Sequence, residues 1–149
     1  MNTPPNVFLD TSVIFAAVLS PDGGARMVLR LGESRLIRLW IGRQVLRECQ
    51  AVIQRKAADS LPYMALLLDT AKVQIGTEAS PGSLEQARVL VAYPPDAIVL
   101  AEAIESQPDW FLTHDHQHFM KVPIEKLPFR VGTPGDFLMW FRENISKSG

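Results

Sequence analysis

Apolar residues along the chain fall into short runs alternating with longer stretches of helical spacing. Val7, Phe8 and Leu9 form one such run, ending at the capping residues Asp10, Thr11 and Ser12 ahead of an apolar segment over residues 13–19, so a strand passes into a helix. Asp10 therefore falls at the C-terminal end of a strand. Residues 20–24 carry turn chemistry, after which Ala25, Val28, Leu29 and Leu31 continue at helical spacing until Gly32. Residues 36–40 read as a second strand. Residues 43–58 read as a long helix with Val45, Cys49, Val52 and Ile53 on one stripe, and Glu48 falls inside that stripe.

The second half repeats the alternation. Residues 61–71 form a further apolar helix, 73–75 a short strand, 76–83 a loop and 84–93 a short helix. Pro94, Pro95 and Asp96 open another helix with Ile98, Val99, Ala101 and Ile104 at helical spacing. Trp110, Phe111 and Leu112 make a strand ending at Thr113, His114 and Asp115. Residues 129–131 are a last short strand, and Thr133 to Asp136 lead into a final helix running through Phe141. Strands alternating with helices predict a mainly parallel sheet covered on both faces, because parallel strands need long crossovers. In such folds ligands meet the C-terminal strand edge, where Asp10 and Asp115 are placed.

Length and composition bound this picture. The 149 residues fit one domain spanning 1–149, and 47% hydrophobic with 21% charged residues excludes a disordered tail, a collagen-like repeat and a coiled-coil rod. The net charge of -1 means that any nucleic-acid contact uses a local basic patch. Residues 1–60 hold eight Lys or Arg against five Asp or Glu, and the remainder seven against eleven. Arg26 and Arg30 share one helix face, Arg43 and Arg47 another near Glu48, as phosphate contacts or as a solvated charged face. The lone cysteine, Cys49, forms no internal disulfide and excludes thiolate-rich zinc sites, which fits a reducing cytoplasm. Neither an export signal nor a membrane segment is expected from the apolar runs.

Each candidate acid has a plain alternative. Asp10 could cap the following helix, Asp96 could interact with the helix dipole, and Asp115 could form a turn. Glu48 on an inward face needs an ion pair with Arg43 or Arg47, protonation, or a metal ion. Gathered at one sheet edge, four carboxylates would repel one another and be compensated by hard divalent cations, chiefly Mg²⁺ or Mn²⁺.

These residues resemble the PIN-domain nucleases, including the VapC-type toxins of prokaryotic toxin–antitoxin pairs, over nearly the whole chain. The segment from Val7 to Val13 is similar to the family's opening strand with its first acid. Glu48 within Val45-Leu46-Arg47-Glu48-Cys49 resembles the second acid, Asp96 within Pro94-Pro95-Asp96-Ala97-Ile98 the third, and Leu112-Thr113-His114-Asp115 the strand-end Thr-x-Asp. Residues 131–138 resemble its closing strand and Pro-containing turn.

The resemblance implies a PIN-like three-layer αβα sandwich and a metal-dependent endoribonuclease, with Asp10, Glu48, Asp96 and Asp115 around one or two Mg²⁺ or Mn²⁺ ions. Thr11, Ser12 and Thr113 would be supporting hydroxyls. It also implies an RNA substrate, an antitoxin partner and a homodimer. The sequence departs from the family after Asp115, where His116-Gln117-His118-Phe119 replaces a further acid or amide.

The three histidines, His114, His116 and His118, cluster here, either as a polar loop or as a site for Zn²⁺ or Mn²⁺. Extended geometry would turn them away from Asp115. A downstream Asp-His completing a metallo-β-lactamase zinc motif is missing. The run from Phe137 to Phe141 suits core packing, or else a dimer or antitoxin interface. Two rivals to the nuclease reading are a catalytically silent protein-binding module on the same fold and a dehalogenase-like phosphatase. The latter wants an Asp two residues after Asp10, where Ser12 stands.

Overall fold

The computed structural model describes residues 3–115, 118–119 and 121–148. At its centre lies β1 (Asn6–Leu9), whose Val7, Phe8 and Leu9 are wholly buried. A strand covered on both faces has no solvent side, which is why it reads as a continuous apolar run rather than an alternation. It pairs in parallel with β2 (Arg38–Ile41) on one side and β4 (Trp110–Leu112) on the other, Val7 facing both Leu39 and Trp110. The outer strands are β3 (Gln74–Ile75) and β5 (Arg130–Gly132), giving the all-parallel order β3-β2-β1-β4-β5.

Every parallel pairing needs a crossover, and α-helices supply those up to β4, while the described residues between β4 and β5 carry only a short 3-10 turn, Ile124–Lys126. Helices α1 (Thr11–Leu19) and α2 (Gly24–Glu33) join β1 to β2, while α3 (Arg43–Ala57) and α4 (Leu61–Thr70) join β2 to β3. Helices α5 (Pro81–Leu90) and α6 (Pro94–Ser106) then return the chain across the sheet to β4, and α7 (Pro134–Ser148) follows β5. The result is a three-layer α/β sandwich. The aromatic core is built on Phe111, whose ring lies 5.0 Å from Phe119 and 5.7 Å from Phe8. Among the described residues no single helix is long and apolar enough to cross a membrane.

The direction of the chain's progress through the sheet reverses between β1 and β4. The connections leaving β1 run outward through β2 to β3, and the next one crosses back beyond β1. Crossovers diverge at such a point and leave a crevice at the carboxyl ends of the two strands. Asp10 and Thr113 are the residues that follow those ends.

Some boundaries differ from expectation. The segment assigned to a loop over 76–83 contains the start of α5, because the Ser80 hydroxyl accepts the Ser83 N–H at 3.2 Å and Pro81 occupies the first turn. Helix α7 continues beyond Phe141 to Ser148, since its polar second half holds no helix breaker. Within the aromatic run, Phe137 is fully buried and Met139 is exposed, so the run is divided between core and surface.

Candidate active site

Asp10 extends the central ladder: its N–H donates to the Leu112 carbonyl at 3.0 Å. It occupies the N-cap position of α1, yet its side chain makes no cap bond. Instead the hydroxyls of Ser12 and Thr113 donate to the same carboxylate oxygen, Oδ2, at 3.0 and 2.8 Å. Those hydroxyls accept in turn from the backbone after β4, Ser12 from the His114 N–H and Thr113 from the Asp115 N–H, both at 2.9 Å. Thr113 is fully buried and Asp10 nearly so. The two small hydroxyl side chains thus fix a buried acid and the loop carrying Asp115 in one frame. Burial pushes the Asp10 carboxyl above its ordinary pKa, the two hydroxyls oppose that rise, and nearby Glu48 adds to it.

Glu48 projects from α3 and is half-buried. Thr11 Oγ1 donates to its Oε2 at 2.6 Å and Gln44 Nε2 to its Oε1 at 3.1 Å. The ion pair that sequence reasoning offered as one escape is replaced by these neutral donors. Arg43 pairs with Glu78 at 3.3 Å, and Arg47 donates to Gln44 Oε1 at 3.0 Å.

Asp96 stands in the first turn of α6. His118 Nδ1 lies 2.9 Å from Oδ2 of both Asp96 and Asp115. A single ring N–H serves one acceptor well, and the hydrogen bond goes to Asp115, whose Oδ1 also accepts the His118 backbone N–H at 3.0 Å. Asp96 Oδ2 is left buried without a hydrogen-bond donor. Burial, and then the charges of Asp115, Asp10 and Glu48, push the Asp96 carboxyl up to about 6 against the opposing effect of His118. The hydrogen bond that His118 donates to Asp115 raises the His118 pKa in its turn.

The ligand-type atoms of Asp96, Asp115 and His118 all lie within 4.8 Å of one another. Asp10 and Glu48 stand outside that compact group, within electrostatic reach of it, as their effect on Asp96 shows. The neighbouring thiol of Cys49 is pushed up to about 12 by burial, Glu48 and Asp10, which makes it inert at neutral pH.

A buried carboxylate oxygen with no donor, facing two more ligand groups, fits a divalent cation. Oxygen ligands suit Mg²⁺ and Mn²⁺, and an imidazole favours the softer members of the series.

The expectation that the histidines face away from Asp115 is overturned for His118. The His118 backbone N–H donates to Asp115 Oδ1 and its ring nitrogen lies 2.9 Å from Asp115 Oδ2, so this histidine meets the carboxylate. His114 is exposed, and His116 lies outside the described residues. Glu102 on α6 was not singled out from the sequence. It is 3% exposed, and its Oε1 accepts the Gln44 N–H at 2.8 Å, so a side chain from α6 caps α3. The buried-carboxylate signal was hidden because Glu102 lies in an apolar helix that is buried nearly all round.

Arg26 and Arg30 already have partners, Arg26 on α1 and α4 and the exposed Arg30 on the α1–α2 connection. Arg26 Nε donates to the Ala17 carbonyl at 3.0 Å and Nη2 to the Tyr63 hydroxyl at 2.8 Å, while Arg30 Nη2 donates to the Pro21 carbonyl at 3.2 Å.

Known proteins share the family and the fold of this chain. A PIN-domain family profile matches residues 6–117. No curated protein sequence matches the chain. Among solved structures, VapBC of Salmonella typhimurium bound to DNA superposes with a TM-score of 0.67 at 17% identity, covering 87% of this chain and 98% of that one. VapBC2 of Rickettsia felis bound to a promoter DNA fragment gives 0.65 at 15% identity, covering 85% and 98%. VapC20 of Mycobacterium tuberculosis, a toxin that cleaves the sarcin–ricin loop, gives 0.53 at 18% identity, covering 74% and 91%. At such identities the likeness is one of fold.

Proposed function

Because the chain belongs to the PIN-domain family, we propose that it is a Mg²⁺- or Mn²⁺-dependent endoribonuclease, the toxin component of a toxin–antitoxin pair. The observation that carries this reading is the buried, donorless Oδ2 of Asp96 beside Asp115 and His118. Such an oxygen is costly unless protonated or bound to a cation, and perturbed acids gathered at a crevice are typical of functional sites. The toxin assignment is supported by the VapBC and VapC structures that share the fold.

In this reading Asp96 and Asp115, joined by His118, would hold divalent metal, and Asp10 with Glu48 would complete the carboxylate set. A bound divalent ion would supply charge neutralisation at the scissile phosphate and a more acidic water. The chain's own part is positional. Ser12 and Thr113 hold the Asp10 carboxylate from one side, and Thr11 and Gln44 hold Glu48. Their charges then add little reorganisation cost when a phosphodiester is bound. Arg43 and Arg47, on the helix that carries Glu48, would contact phosphates flanking the cut. Arg26 and Arg30 would first have to exchange their carbonyl partners. An antitoxin, a homodimeric state and a cytoplasmic setting belong to the same proposal.

The test is cleavage of a panel of structured RNAs with and without Mg²⁺ or Mn²⁺, wild type beside Asp96→Asn. Metal-dependent cleavage that the substitution removes supports the reading. Metal-independent cleavage, or an unchanged variant, rejects it, and a phosphoenzyme trapped at Asp10 would indicate a phosphatase instead.

A further inference from the structure

Beside the acidic group, on the far side of His118, the structure has a cavity of ≈ 370 Å³ that the reading above does not use. Its lining includes the nearly buried Val91 and Val122, exposed to 4% and 6%, the exposed Lys121, and the rings of Tyr93 and His118. Those rings are stacked, with centroids 5.8 Å apart and planes 18° from parallel, and Tyr93 is 55% exposed despite being a large aromatic. His118 thus belongs to two places at once: its Nδ1 faces Asp96 and Asp115, and its ring lines this cavity.

We propose that this cavity is a nucleobase subsite, in which Tyr93 stacks on the base of a nucleotide flanking the phosphate held at the acids and Lys121 contacts the adjoining backbone phosphate. The proposal rests on the ribonuclease reading for the identity of the chain that enters. Flat aromatic surface with an apolar floor suits the π-face of a base, and a cation at the rim suits the phosphate beside it. Tyr93 offers the side-chain hydroxyl in this lining, so base identity is weakly read and stacking dominates. The subsite would therefore favour unpaired nucleotides, because a base inside a duplex has no free face to offer.

The experiment uses the full chain carrying Asp10→Asn, in Mn²⁺, with fluorescein-labelled single-stranded RNA and an abasic oligonucleotide of equal length, read by anisotropy. Tyr93→Ala is expected to weaken binding of the base-bearing strand about tenfold and leave the abasic strand unchanged, with Tyr93→Phe restoring affinity. Lys121→Gln is expected to weaken both strands equally and lower the salt slope by about one. Equal loss on both strands at Tyr93, or no loss, overturns the subsite. Tyr93→Phe that matches Tyr93→Ala does so as well. Cleavage by the otherwise wild-type chain is measured separately: absent cleavage defeats the ribonuclease reading, while the base-dependent difference at Tyr93 still decides the subsite.

Discussion

Asp96 Oδ2 lies 2.9 Å from His118 Nδ1 and still lacks a hydrogen-bond donor, because the ring N–H is committed to Asp115. The pair is a close contact without the directional bond that would compensate burial. Burial and the neighbouring carboxylates push its pKa up to about 6, so the metal-free chain carries this charge at neutral pH at a cost. Protonation and cation binding then compete for the same oxygen.

The competition sets a pH dependence. The folded-state pKa of Asp96 is raised above its ordinary 3.8, so its contribution to stability is fully present below that value and is lost as pH rises through about 6. A bound cation removes the penalty and stabilises by mass action. The shift in melting temperature on adding Mn²⁺ is expected to be larger at pH 7.5 than at pH 5.5, as differential scanning fluorimetry would show. A shift independent of pH would exclude Asp96 as a ligand.

Substitution at the same position separates stability from activity. Asp96→Asn keeps the shape and removes the charge that Asp115, Asp10 and Glu48 repel. The metal-free variant is expected to melt higher than the wild type at pH 7.5, while metal-dependent RNA cleavage falls by about a hundredfold or more. Asp10→Asn is expected to lose cleavage similarly. Thermal melts and single-turnover cleavage on the same preparations check both, and a variant that cleaves normally would remove its acid from the site.

Much of this arrangement is legible in the sequence. The apolar runs at residues 7–9 and 110–112 are central strands, and the polar residues that end them lie at one edge because parallel strands all terminate there. Glu48 is recognisable as an acid on an inward helix face. What escapes is set by turns and by tertiary contact. His118 meets Asp115 through its own backbone N–H and ring nitrogen, a contact that the two-residue period of an extended segment does not announce. Glu102 caps α3 at Gln44, 58 residues away in sequence, so no local pattern marks it. Ser80 and Pro81 do carry a local helix-start signal, masked by the turn-forming residues around them over 76–83.

The Glu102 cap restricts its neighbour. A methyl group added at Gly42 would sit 2.7 Å from Glu102 Oε1 and 2.9 Å from Glu102 Cβ, and the second atom has little freedom to move. The backbone at Gly42, with φ near -88°, is one that any residue adopts, so the restriction is purely steric. Gly42→Ala is expected to destabilise by about 1–3 kcal/mol. Gly82→Ala, in α5 with nothing closer than 3.9 Å, is expected to stabilise by about 0.5–1 kcal/mol. Urea denaturation of both variants checks the contrast, and equal effects would mean that Glu102 moves aside at little cost.

The arginines divide into two kinds by what they already touch. Arg26 is engaged by the Ala17 carbonyl and the Tyr63 hydroxyl, and its guanidinium lies 5.6 Å from the Tyr63 ring centroid, so it ties α2 to α1 and α4. Arg43 and Arg47 are exposed, and an incoming phosphate can replace Glu78 or Gln44 as their partner. Each phosphate contact releases condensed counterions, so log K falls with log salt by somewhat under one unit of slope per contact. Arg43→Gln and Arg47→Gln are each expected to lower the magnitude of that slope by about one for RNA binding to the Asp10→Asn chain, with melting temperature held. Arg26→Gln is expected to lower the melting temperature and leave the slope unchanged. Anisotropy titrations at several salt concentrations decide it: an unchanged slope for Arg43 and Arg47 together would move the phosphate path to another face of the molecule.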